Sequence, residues 1–165
     1  MYMKKGIFNF LAALSIVSLT LLLAACKDEE EPEVESPIIC SLPNGTLRWT
    51  IDGVERCANA SLFGDFGTFL TVNGISIEGQ TLTLELDSLS AGSHELSADS
   101  NFMLYTDGLA VAWEATNEQP GTINITSHNE STNRLEATFQ INLVNPLNSA
   151  TKSITNGQLT ITYTE

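Results

Sequence analysis

From Ile38 onward apolar and polar residues alternate, and no stretch sustains a 3.6-residue apolar period. Leu47, Trp49 and Ile51 alternate with Arg48 and Thr50, and Leu82, Leu84 and Leu86 stand between Thr81, Thr83, Glu85 and Asp87. Leu135, Ala137, Phe139, Ile141 and Leu143 mark the longest strand, and Leu159, Ile161 and Tyr163 close the series. Period-two segments of this kind have one dry and one wet face. Asp52-Gly53, Asn73-Gly74, Asp107-Gly108 and Asn156-Gly157 interrupt them, and such pairs supply the positive φ angles of tight hairpin turns. The pattern predicts about 8 to 10 strands and no crossover helix. The fold class is therefore all-β, an antiparallel β-sandwich or a curled, partly closed barrel.

Trp49 and Trp113 lie in phase with aliphatic neighbours, which places them in the core. The stretch from Ala58 to Thr68 is irregular; Phe63, Phe66 and Phe69, spaced by three around Gly64 and Gly67, are read as a helical turn or apolar loop plugging one end of the strands. Pro146 to Lys152 is the other irregular stretch.

Ahead of the alternating region the grammar changes. Lys4-Lys5 is followed by an apolar run from Ile7 to Ala25 and then by Leu23-Ala24-Ala25-Cys26. A basic head, an apolar middle and small residues at the exit make an export signal. The last four residues resemble the bacterial lipoprotein signal, which implies lipidation of Cys26 and anchoring by membrane lipid through its acyl chains. Several chains on one cysteine make an effectively permanent anchor. Residues 27–37 hold one aliphatic side chain, two prolines and six acids, too little apolar surface to fold, so they read as an extended tether. The expected organisation is a signal over 1–25, a lipidated, acidic tether over 26–37 and one domain over 38–165. A lysine followed by a run of acids after the lipidated cysteine is similar to the surface-export signal of Bacteroidota lipoproteins. That resemblance implies an outer-membrane location facing outward, with the periplasmic leaflet as the alternative.

The formal net charge is −13, from 7 basic and 20 acidic residues. A nucleic acid needs a basic surface, so nucleic-acid binding is not expected. Apart from Cys26 the cysteines are Cys40 and Cys57, which flank a strand and the Asp52-Gly53 turn and are candidates for a disulfide in an oxidising compartment.

The chain is poor in reactive constellations. His94 and His128 lie in different polar contexts without metal-ligand spacing, and both are expected to face solvent. No nucleophile elbow, glycine-rich phosphate loop or dedicated calcium loop is present. Neither a metal nor a cofactor is expected, nor catalytic residues. Glu85 and Asp87 share a strand face, a weak basis for glycoside hydrolysis.

Trp49-Thr50-Ile51-Asp52-Gly53, the Leu-x-Leu-x-Leu strand at Leu82, Gly121-Thr122-Ile123-Asn124-Ile125-Thr126 and Ile154-Thr155-Asn156-Gly157-Gln158-Leu159 together resemble a family of small Bacteroidota lipoprotein β domains of unknown function. The resemblance implies no catalytic residue. Asp87-Ser88-Leu89 is similar to the acceptor triplet for O-linked glycans on exported Bacteroidota proteins, which marks Ser88 as a candidate O-glycosylation site. The functional expectation is a non-catalytic binding or structural module of the cell envelope, contacting a glycan or an envelope protein. A surface glycan-binding domain or a polysaccharide hydrolase is the alternative.

Overall fold

The computed structural model describes residues 39–165. They form twelve strands and no helix. The strands are β1 (Ser41–Leu42), β2 (Gly45–Ile51), β3 (Val54–Cys57), β4 (Ser61–Phe66), β5 (Leu70–Ile75), β6 (Thr81–Leu86), β7 (Gly92–Leu96), β8 (Met103–Thr106), β9 (Ala112–Glu114), β10 (Gly121–Asn129), β11 (Arg134–Val144) and β12 (Thr151–Thr162). All pair antiparallel with their neighbours in a nearly closed, barrel-like sheet.

The long β11–β12 hairpin is the centre of the topology, and each of its strands serves two partners on its outer edge. β11 pairs with β10 along its first half and with β9 at Val144 opposite Glu114. β12 pairs with β2, and the residues just beyond it reach β4. There the Phe66 N–H donates to the Thr164 carbonyl at 2.8 Å and the Thr164 N–H to that of Gly64 at 3.0 Å. One layer is thus β7-β10-β11-β12-β2, with β1 and β3 sharing the far edge of β2, and the other is β9-β8-β6-β5-β4. The layers meet at the two corners just named.

Alternation decides what lies between them. Leu47, Trp49, Leu82, Leu84, Leu86, Leu135 and Ile161 are buried, while their polar alternates are half-buried or face water. Each fully buried Leu or Ile contributes roughly 1.5–3 kcal/mol of transfer free energy. Trp49 packs edge-on against Tyr105 at 6.5 Å, and Tyr105 against Trp113 at 5.8 Å, so both tryptophans are core residues. Cys40 and Cys57 form a disulfide with Cα atoms 5.6 Å apart, joining the segment before β1 to the end of β3 along the outer edge of β2. A cross-link closing a loop of this length is worth about 3 kcal/mol in the chain-entropy account.

Several local readings change. Twelve strands replace eight to ten because short β1, β3 and β9 carry too few residues to show a period. Asp52-Gly53 is the expected two-residue turn, with φ of 51° and 80°. Asn73-Gly74 instead lies inside β5, where Gly74 pairs with Leu62 on one side and Leu82 on the other. A Cβ at Gly74 would stand 2.5 Å from the Leu47 Cδ2, so the glycine serves close packing rather than a turn. Asn156-Gly157 lies inside β12, where the pairing to β2 shifts and the Phe139 ring covers Gly157. Asp107-Gly108 does turn, but in a longer loop whose positive φ falls on Ala110. Residues 61–66 are a strand rather than a helical turn or loop; Phe63 and Phe69 are exposed and only Phe66 packs on the core.

The two ends differ. At one end the β2–β3, β5–β6, β8–β9 and β11–β12 turns gather, tied by Lys152–Asp52 at 2.6 Å, Arg56–Glu78 at 2.7 Å and the Asn145 Nδ2–H donating to the Ala112 carbonyl at 3.1 Å. At the other end the layers are joined along the β4–Thr164 corner, and beside that corner they leave a mouth.

Candidate functional site

The mouth is a cleft of about 410 Å³ lined by Phe66, Asp87, Leu89, Ser90, His128, Glu130, Tyr163 and Glu165. Four separate segments supply it: the end of β4, the loop after β6, the β10–β11 hairpin and the residues after β12. Concave sites at barrel mouths suit ligands because the scaffold holds the lining in place.

Tyr163 organises the floor. It continues the inward phase of Leu159 and Ile161 and is buried. Its ring lies 5.9 Å from Phe66, inclined at 45°, and 6.0 Å from the His128 ring. The Tyr163 hydroxyl and the His128 Nε2 share a 2.8 Å hydrogen bond. Burial, and then the carboxylates of Glu165 and Glu130, push the Tyr163 pKa above its ordinary value, because all three disfavour a phenolate. Tyr105, in the aromatic stack at the other end, is raised by burial, then Asp107, with Asp52 and Glu78 adding and Arg56 opposing.

The rim is acidic and uncompensated. Four basic residues lie within the described chain, and all are engaged elsewhere: Arg48 with Glu55, Arg56 with Glu78, Arg134 with Glu136 and Lys152 with Asp52. None pairs with Asp87, Glu130 or Glu165. Asp87 accepts a long hydrogen bond from the Asn101 N–H at 3.5 Å, while the Asn101 side chain accepts from the Asp87 N–H at 3.1 Å, which holds the loop after β6. The rim therefore accepts hydrogen bonds and repels anions, and beside it the half-buried Phe66 ring covers the buried Tyr163.

Of the residues singled out by sequence, the fold brings Asp87 and His128 into this cleft, while Ser88 stands between the lining residues Asp87 and Leu89 without lining it. Ser88 is half-buried, its Oγ 2.9 Å from the Ser90 Oγ. Glu85 stays on β6, opposite Thr71. His128 is half-buried and bonded to Tyr163 rather than facing solvent. His94 is exposed to a lesser degree than a free surface histidine, and its Nε2–H donates to the Ser90 carbonyl at 2.8 Å. Cys40 and Cys57 lie outside the cleft. Cys26 and the acidic run fall outside the described residues. Among the described residues no group of three His, Cys, Asp or Glu side chains is arranged to hold a metal ion. Glu130 stands two residues from His128 in the same hairpin, whereas Tyr163 and Glu165 carry no local signal; only the pairing of β10 with β11 and of β11 with β12 brings them to His128.

A family model, described as a domain of unknown function (DUF6252), matches residues 58–161. The chain belongs to that family. The DUF6252 match runs from just after the disulfide to Ile161, so it contains β4 to β11 and nearly all of β12 but stops two residues before Tyr163. No curated protein and no solved structure matches the chain.

Proposed function

We propose that this DUF6252 chain is an outer-membrane lipoprotein whose β domain is a non-catalytic binding module, and that its mouth holds a sugar unit of an envelope glycan. The mouth carries the reading: a sugar presents an apolar C–H face to the half-buried Phe66 ring and hydroxyls to acceptors such as Asp87, Glu130 and Glu165. Its acidic rim disfavours an anionic ligand and its fixed strands need no reactive group. Leu23-Ala24-Ala25-Cys26 supports the anchor, and residues 27–37 would give the domain reach from the lipid surface.

The binding test is calorimetric titration of the full chain in detergent with neutral mono- and oligosaccharides. Wild type should bind at least one, and Phe66→Ala should weaken it about tenfold, the equivalent of about 1.4 kcal/mol. Uptake of no sugar by wild type would reject the mouth as a sugar site. The anchor test is acyl labelling, which Cys26→Ala should abolish. A glycan on Ser88 would stand beside the mouth, and Ser88→Ala should then lower the mass of protein isolated from the envelope.

The three carboxylates brought to one cleft favour a second reading, a polysaccharide hydrolase, since glycoside hydrolysis uses a pair of them. Release of reducing sugar by the pure protein, lost in Asp87→Asn or Glu130→Gln, would put that reading first.

A further inference from the structure

On the outer face of the β10-β11-β12-β2 layer lies a second surface, remote in kind from the mouth. Three shallow depressions of about 270, 380 and 220 Å³ adjoin there. The first two share Thr122 and Gln140, and the last two share Asn156 and Gln158, so they form one continuous groove across the strands. Strand register lays its side chains in a row: Asn124 faces Thr138, Thr138 faces Gln158 and Gln158 faces Arg48. With strands 4.7–4.9 Å apart, four of them span about 14 Å.

Asn124, Thr138, Gln140, Asn142 and Gln158 are exposed, and none makes a side-chain hydrogen bond with another described residue. Elsewhere the domain uses such groups internally: Asn44, Asn59, Asn73, Asn101, Asn117 and Asn145 all hydrogen-bond within it. The lining of the groove carries no net charge in an acidic protein, because its charged side chains, Arg48 and Glu55, pair with each other; Glu95, opposite Thr122, stands at its β7 edge. None of the exposed large apolar residues lines it. A protein partner would find no aromatic or aliphatic anchor there, and a charged polymer no field to hold it.

We infer that this face is a binding platform for an extended, uncharged polysaccharide, whose hydroxyls pair with the row of free amides and hydroxyls. Such a ligand matches the neutrality of the groove, its lack of apolar anchors and its length. Each hydrogen bond adds little alone, so only a polymer spanning several strands gains from the row.

The test is affinity gel electrophoresis of the full chain in detergent, through gels containing dextran, mannan, xylan or amylose, with polygalacturonate and chitosan as charged comparisons. At least one neutral polymer should retard the wild-type protein. Asn124→Ala with Gln158→Ala should weaken that retardation about tenfold, the equivalent of about 1.4 kcal/mol, through the loss of two hydrogen-bonding side chains. Thr138→Glu, which places a charge in the middle of the row, should remove it. Circular dichroism melts accompany each variant, and Gln140→Ala, in the lining of the groove, replaces any variant that does not fold as wild type. Leu109→Ser, at the turn tips away from both the mouth and the groove, should leave the retardation unchanged. The inference is overturned by retardation in no neutral polymer, in the charged polymers alone, or to an extent the face variants do not alter.

Discussion

At one end of the barrel four hairpin turns carry Val54, Ile77, Leu109, Val111 and Leu147 outward, with Leu109 85% and Leu147 93% exposed. Directly beneath them the Trp49–Tyr105–Trp113 stack is closed, and the Lys152 Nζ sits 4.8 Å from the Trp113 ring centroid while pairing with Asp52. At the other end Phe66 packs against Tyr163 and Leu89 onto the core while Phe69 of the β4–β5 turn is exposed, and the acids are left at the rim without a lysine or arginine. The same strands thus end in two ways. Where short turns bind each other through ion pairs, the core is sealed and the tips are free to carry apolar residues that contribute little to folding. Where the connections are a loop and hairpins, and the residues after β12 join the layers at one corner only, polar groups gather around an aromatic floor. Stability should therefore concentrate at the sealed end and recognition at the open one.

The largest test of this division is core truncation. Trp49→Ala should cost about 3–5 kcal/mol in denaturant unfolding, since it empties a fully buried site, whereas half-buried Phe66→Ala should cost roughly half as much. Equal losses would mean that the mouth is as much a part of the core as the stack. Next in size, Cys40→Ala with Cys57→Ala should lower stability by about 2–4 kcal/mol while leaving any mouth ligand bound. Loss of binding in that variant would tie the outer edge of β2 to the site.

A smaller effect is set by pH. Tyr163 and Tyr105 both hold their protons above the ordinary tyrosine value in the folded state. An acid with a raised folded pKa keeps more protons folded than unfolded across that window, so stability is intact below about pH 10 and falls as pH rises through the folded value. Melts recorded from neutral to strongly alkaline pH should show this loss, and Tyr163→Phe should reduce it by the share of the mouth, at a fixed cost of about 1 kcal/mol for the His128 hydrogen bond. A melting profile flat through that range would contradict the placement of both rings. The smallest effect belongs to the turn tips. Leu109→Ser and Leu147→Ser should change unfolding by no more than about 0.5 kcal/mol, because neither side chain leaves water on folding. A larger loss from either would show that the crown of tips is a structural cap.

The sequence by itself determined the fold class and most of the core. Alternation is a property of neighbouring residues, so Leu82, Leu84 and Leu86, or Leu135 to Leu143, announce a strand with one dry face wherever that strand is placed. Asp52-Gly53 was legible for the same reason, since a positive φ at two successive residues is a local requirement. Two of the other glycine pairs, at Gly74 and Gly157, were not, because what selects glycine there is a Leu47 or Phe139 side chain from a distant strand. The candidate site was barely legible: Asp87 and His128 could be nominated, but Tyr163 reads as one more core residue until β10, β11 and β12 pair. Closure of the barrel was decided only by the tertiary structure, through backbone bonds between Gly64, Phe66 and Thr164, residues about a hundred positions apart whose amides carry no side-chain signature. Period and turn chemistry are short-range, whereas a mouth, a groove or a sealed end exists only where segments remote in sequence are held side by side.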